Sequence, residues 1–291
     1  MFTASGLGDG LIYSIVARNL ALNGYEVSIF NTPLIQLQTL YSYAKIFPHP
    51  KPDEWLSICS QFDMVVMQMG FPPSEKVKLP SHDPLYKHVK YFKNWEMDSS
   101  LPLADNLVQL CFRELNIQNP VKDIALDIPK GLIFKKYPKR VILHTMSADS
   151  QKIWPAKFFV QVAQGLLDMG YEPIIIVSPE ERDEWCQIAA NANLLIPSFN
   201  SLSTLAEFIY ESGFVIGNDS GIAHLGSALG LKTITIHQRS NRAQFWKPGW
   251  TDGIAVTVNK AIPTRYLRLK FWKILIRPGQ VINAFKKLTD F

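Results

Sequence analysis

The chain has 291 residues, 47% of them apolar and 19% charged, which supplies a sizeable core and excludes a disordered or collagenous protein. Its three cysteines, Cys59, Cys111 and Cys186, are far apart, so neither a disulfide framework nor a zinc site is expected and a reducing compartment fits. The net charge of +5 lies in the tail: from Lys260 onward stand eight basic residues against Asp290 alone, which argues against a general nucleic-acid binder.

In chain order, the first feature is Gly6-Leu7-Gly8-Asp9-Gly10, running into the helical pattern Gly10–Leu22. No charged-then-apolar leader precedes it, so no signal peptide is expected. A glycine-rich turn entering a helix lets backbone N–H groups approach an anion or a substrate oxygen. The spacing is not G-x-G-x-x-G, because residue 11 is Leu, so a hydride-transfer cofactor is not supported. Asp9 is either a general base facing a ligand or a cap for the helix, and spacing leaves both open. Glu26–Phe30 and Met64–Gln68 read as strands. The stretch Phe47–Leu103, rich in Pro, His and Lys, reads as long loops and short helices that hold a bulky substrate.

After the basic turn Pro129–Lys139 a second series begins. Val141–His144 reads as a strand, followed by a polar loop carrying Ser147 and Lys152, where hydroxyls and one ammonium could receive a phosphate at a helix start. Pro155–Met169 is an amphipathic helix with Phe158, Val162 and Leu166 on one face, closed by Gly170. Pro173–Val177 is the next strand. Strand Phe214–Gly217 runs into Asn218-Asp219-Ser220-Gly221-Ile222-Ala223-His224. There the Ser220 and Gly221 amides, the Ser220 hydroxyl and His224 could gather round one anion. Asp219 would instead cap the helix, or fix His224 or a substrate hydroxyl. Thr233–His237 is the last expected strand. Alternating strands and helices mean βαβ units with parallel sheets. No run reaches the roughly 18 apolar residues of a membrane span. The tail interleaves Arg265, Arg268, Lys270 and Lys273 with Tyr266, Phe271 and Trp272, a pattern suited to an anionic bilayer surface or to a helix packed on the body.

Three matches together resemble glycosyltransferase family 9, the ADP-heptose:lipopolysaccharide heptosyltransferases. They are Gly8-Asp9 entering a helix, Lys152-Ile153-Trp154-Pro155 in the K-x-W-P position, and Asp219-Ser220-Gly221-Ile222-Ala223-His224 in the D-[ST]-G-x-x-H position. The resemblance implies an α/β protein of the GT-B fold, two Rossmann-like domains with parallel sheets facing a cleft. Residues 1–138 would form the acceptor-binding domain and 139–291 the nucleotide-sugar domain, with a basic C-terminal segment able to return to the first. It implies inverting, metal-independent transfer of a heptose from ADP-heptose to a lipopolysaccharide core acceptor. Asp9 would be the catalytic base, with Gly8 and Gly10 on the acceptor side. Lys152, Ser147, Ser220, Gly221 and His224 would hold the donor diphosphate, with Asp219, Glu180 and Glu181 behind them. No cofactor beyond the nucleotide-sugar substrate is implied. The expected partners are that donor, a lipid-linked saccharide and an anionic membrane surface, at the inner face of a bacterial inner membrane, and no nucleic acid. The pattern departs from the family in a short segment before the glycine turn, in Ile15 where proline is frequent, and in His237-Gln238-Arg239 where Phe-Gly-Pro is common. Another GT-B enzyme, whether a transferase of a different sugar or an epimerase, and a non-catalytic nucleotide-binding relative remain alternatives.

Overall fold

A computed structural model describes residues 1, 3, 5–51, 53–69, 88–192, 194–259, 261–262 and 264–290. They form two units, one of residues 1–98 and 103–127, the other of 99–102 and 128–291. The division falls ahead of the boundary at 138–139 read from the sequence, because Tyr137 and Pro138 already belong to the first strand of the second sheet.

The first unit is built round helix α1 (Leu7–Leu22), which is buried on nearly every side through Leu11, Ile12, Tyr13, Ile15, Val16, Ala17 and Leu20. A helix that is apolar all round belongs in an interior. It ends in a Schellman turn: Gly24 has φ +86°, its N–H reaches the Ala21 carbonyl, and the Tyr25 N–H reaches the Leu20 carbonyl. The chain then enters β1 (Val27–Phe30), which pairs in parallel with β2 (Ala44–Phe47). Helix α2 (Trp55–Cys59) leads to β3 (Val65–Met69), parallel to β4 (Val89–Lys93). Helix α3 (Leu103–Leu115) packs on α1. Buried Asn19 ties the following loop down, donating to the Val121 carbonyl at 2.7 Å and accepting from its N–H at 2.8 Å.

The second unit holds a five-stranded, wholly parallel sheet in the order β6-β5-β7-β8-β9. Its strands are β5 (Tyr137–His144), β6 (Glu172–Ile176), β7 (Ser212–Asn218), β8 (Lys232–Ile236) and β9 (Gly253–Val256). Between them run α4 (Ala156–Asp168), α5 (Arg182–Ala189), α6 (Leu202–Tyr210), α7 (Gly221–Ala228) and α8 (Ser240–Trp246). The α1 turn recurs twice: Gly170 (φ +75°) after α4 and Gly230 (φ +91°) after α7 close the same pair of hydrogen bonds before β6 and β8. A residue with a Cβ would be strained at each of these positions.

Helices α9 (Arg265–Leu275) and α10 (Pro278–Thr289) close the chain. Trp272, Ile276, Val281, Ala284, Phe285 and Leu288 join the core of this second unit, together with Trp154, Phe159 and Val162. The basic tail is therefore integrated into the second unit, with α10 against α4.

The stretch 47–103 departs from the loops and short helices read from the sequence by carrying β4. Its Val-Lys-Tyr-Phe-Lys pattern alternates lysines with buried Val89 and Phe92, which disguises a strand as a polar segment. Residues 52 and 70–87 of that stretch lie outside the described residues.

Candidate functional site

Two clusters of polar groups follow from this topology, one on each unit. In the first, the extended backbone of Gly6 caps α1, and Asp9 lies inside the first turn. A carboxylate there is favoured by the positive end of the helix. The Asp9 carboxylate lies back over the helix start, close to Gly6. Its Oδ1 accepts from Gln68 Nε2 at 2.6 Å, from the end of β3. A Cβ on Gly6 would approach Asp9 Oδ2 to 2.9 Å, and one on Gly10 would meet the Asn31 amide at 2.8 Å. Gly6 thus leaves room for the carboxylate, and Gly10 lets α1 settle against Asn31, whose Nδ2 donates to Thr3 Oγ1 and to the Gly6 carbonyl. Gly8 is half-buried in the same turn.

The second cluster lies where the strand order reverses. From β5 the chain moves outward to β6, then crosses to β7 on the other side of β5. The carboxyl ends of β5 and β7 therefore flank the switch point where parallel α/β sheets bind ligands. The loop after β5 carries Ser147 and Lys152, and the turn after β7 carries Asp219, Ser220 and Gly221. Buried Asn218 locks the two together: it accepts from the Trp154 N–H at 3.1 Å and donates to the Thr145 carbonyl at 2.7 Å.

Lys152 Nζ donates to Asp219 Oδ2 at 2.9 Å, and His237 Nδ1 stands 3.7 Å from the same oxygen. The other nitrogen of His237 is 2.8 Å from Thr235 Oγ1. Burial alone would push the Asp219 carboxyl upward, but His237 and Lys152 outweigh it and hold the group below its ordinary value. Ser220 occupies the N-cap of α7 without a side-chain capping bond, and its hydroxyl pairs with His144 Nδ1 at 3.0 Å. Burial lowers both His144 and His224 to about 4, so both rings are neutral at physiological pH. His224 Nδ1 is buried with no hydrogen-bond partner, and the ring faces Trp250 edge-on at 6.4 Å between centroids. An unsatisfied buried nitrogen is costly unless something binds to it.

The structure thus gathers Lys152, Asp219, Ser220, Gly221 and His224 on neighbouring elements, with Ser147 half-buried in the loop between β5 and Lys152. Glu180 and Glu181 stand differently. Glu181 Oε2 accepts from the Ser178 hydroxyl at 2.7 Å and from its N–H at 3.3 Å, closing a capping box. Glu180 is exposed, and a backbone hydrogen bond followed by Ser178 lowers its carboxyl. The sequence reading missed the far wall of the pocket. A cavity of about 240 Å³ is lined by Lys152 and Asp219 and also by His237, Gln238, Arg239, Arg242 and Trp246, with Asp149 and Gln151 at its side. Arg242 is lowered by burial and then by the nearby Arg239 and Arg265. The His237-Gln238-Arg239 departure was the available signal. Among the described residues no cluster of three or more His, Cys, Asp or Glu is arranged to hold a metal ion.

The model of glycosyltransferase family 9 (heptosyltransferase) matches residues 96–265. Among curated protein sequences none matches the chain. Among solved structures, a family 9 glycosyl transferase from Veillonella parvula matches with TM-score 0.70 and 17% identity, over 99% of this chain and 95% of that one. The E. coli heptosyltransferase WaaC, solved with ADP, matches with TM-score 0.68 and 13% identity, over 99% and 98% of the two chains. The E. coli ADP-heptose lps heptosyltransferase II gives 0.67 and 15%, over 99% and 97%. At these identities the likeness is one of fold: an α/β architecture with parallel sheets that matches the GT-B heptosyltransferases along the whole chain.

Proposed function

Because the chain belongs to glycosyltransferase family 9 (heptosyltransferase), we propose that this glycosyltransferase moves a heptose from ADP-heptose to a saccharide of the lipopolysaccharide core, with inversion and without a metal ion. The observation that carries this reading is the switch-point cluster, in which Lys152 and Asp219 are paired at 2.9 Å beside the Ser220–Gly221 helix start. A helix start, a lysine and a buried, unsatisfied His224 nitrogen make a receptor for phosphate oxygens and sugar hydroxyls. The ligands named for two similar structures, ADP and ADP-2-deoxy-2-fluoro heptose, support the adenine nucleotide.

In this reading Asp9 takes the proton of an acceptor hydroxyl while that oxygen attacks the anomeric carbon. The bond from the anomeric carbon to the phosphate oxygen breaks, and the nucleoside diphosphate leaves with the electron pair. Attack from the face opposite the leaving group inverts the centre. The Ser220 and Gly221 amides, Ser147 and His224 meet the developing charge. Asp219, held by Lys152 and His237, is placed to accept from a sugar hydroxyl. Gly8 and Gly10 belong to the acceptor side, since they build the turn that presents Asp9. The protein works in the cytoplasm, with α9 at the inner face of the membrane near a lipid-linked acceptor. No helix of the described residues is long and apolar enough to cross a membrane.

The test is calorimetric titration of the purified protein with ADP, UDP, GDP and CDP. ADP should bind tightest. Binding of none of the four would overturn the reading, and preference for another base would replace the donor.

A further inference from the structure

We propose that Arg239 and Arg242 form the subsite that binds the diphosphate of the nucleotide donor and stabilises it as it departs. The inference rests on the donor-binding role proposed above and names the cations that meet the charge. Lys152 is the cation the sequence singles out, yet its ammonium is already held by Asp219 at 2.9 Å. The same pocket wall carries a second carboxylate, Asp149. His144 and His224 are neutral, and burial lowers His237 as well. Without the arginines the pocket would therefore hold one lysine against two carboxylates, a field that repels a diphosphate. Arg239 and Arg242 reverse that sign.

Their placement suits the ligand. Arg239 follows His237 and Gln238 beyond the carboxyl end of β8, where it is exposed, and Arg242 stands half-buried in α8. Guanidinium groups offer planar, paired donors that match phosphate oxygens. Burial, then the neighbouring charges of Arg239 and Arg265, disfavour the Arg242 cation, and a bound anion would favour it. Lys152 also keeps Asp219 ionised and oriented, so the arginines add positive charge that Lys152 alone does not supply.

The test compares wild type with the double variant Arg239→Gln/Arg242→Gln and with Arg239→Lys/Arg242→Lys, by titration with ADP and with adenosine. The Gln pair should lose at least about tenfold in ADP affinity while adenosine binding and melting temperature stay unchanged. The Lys pair should keep most of the ADP affinity at low salt, because the charge remains. ADP affinity equal to wild type in the Gln pair would overturn the subsite and leave the donor role standing. A parallel loss for ADP and adenosine would also overturn it, since the arginines would then be shaping the base site. If the wild-type protein binds none of the four nucleoside diphosphates, the donor role fails first and the subsite with it.

Discussion

Asp9 is the side chain on which turnover should depend. Its Oδ1 receives the Gln68 amide at 2.6 Å. Asp9→Asn keeps the shape and removes the proton acceptor, so transfer should fall by at least about 100-fold while ADP affinity stays nearly constant. Single-turnover release of ADP measures the first and calorimetry the second; substantial residual transfer would leave Asp9 a structural carboxylate. The buried histidines make a separate statement about pH. With folded values near 4 for His144 and His224, the unfolded chain binds protons at a higher pH than the folded one. Stability is then fully present above the ordinary histidine value and falls as the pH drops from about 6.5 towards about 4. Each ring should cost about 1 kcal/mol by a pH of about 5.5. Melting temperatures across that range, for wild type and His144→Gln, check it: the variant should show a shallower decline. Lys152, Asp219 and His224 were readable as neighbours because all follow strands that end at one edge of a parallel sheet. Arg239 and Arg242 were not, since a short polar stretch after β8 does not reveal which way it faces. Ser178-Pro179-Glu180-Glu181 already carries the S-x-x-E signature of the capping box that Glu181 closes.

Strands and helices with strong periodicity stood out before any coordinates did. Helix α4 and strands β1, β3, β5, β6, β7 and β8 fall within a few residues of their expected spans. Strands β2, β4 and β9 were hidden, each only four or five residues long and marked by lysine or glycine. The close contact of β5 with β7 depends on glycine. A Cβ on Gly217 would lie 2.6 Å from the His144 carbonyl oxygen, which is backbone and cannot swing away. One on Gly226 would meet Val215 Cγ2 at the same distance, which is a side chain that can. Gly217→Ala should therefore destabilise by about 1–3 kcal/mol and weaken ADP binding, and Gly226→Ala by less. The reverse order in denaturant titrations would show that the strands, not the side chains, are the yielding part. Helix α9 divides its residues in two. Trp272 is buried in the core, while Tyr266 is 65% exposed, Phe271 39% and Ile274 49%. Lys270 lies over the Tyr266 and Phe271 rings at 5.4 and 5.5 Å. That outer face should bind vesicles containing phosphatidylglycerol, with each basic residue contributing roughly 1 kcal/mol and the binding weakening as salt rises. Cosedimentation of wild type against Arg265→Gln/Lys270→Gln reads it; equal binding by both proteins would remove the membrane role.

Taken whole, the chain showed its class in outline, because two series of β-strand and helix patterns are separated by the basic turn near residues 129–139. Its division at 127–128 was less visible, since the basic turn read at Pro129–Lys139 runs into the start of β5 at Tyr137. Of the two readings of the tail, packing on the body describes Trp272, Ile276, Val281 and Phe285, which join the core. The donor half of the chemistry is carried by residues that the family model covers, whereas Asp9 lies outside the matched stretch 96–265. The direct measurement is therefore one that needs both halves at once. ADP release from ADP-heptose should be followed with and without a heptose-deficient lipopolysaccharide core acceptor, in the presence of a chelator. Release that depends on the acceptor and survives the chelator, with an inverted linkage in the product, is expected. ADP binding without acceptor-dependent release would show that the chain holds the donor and does not transfer from it.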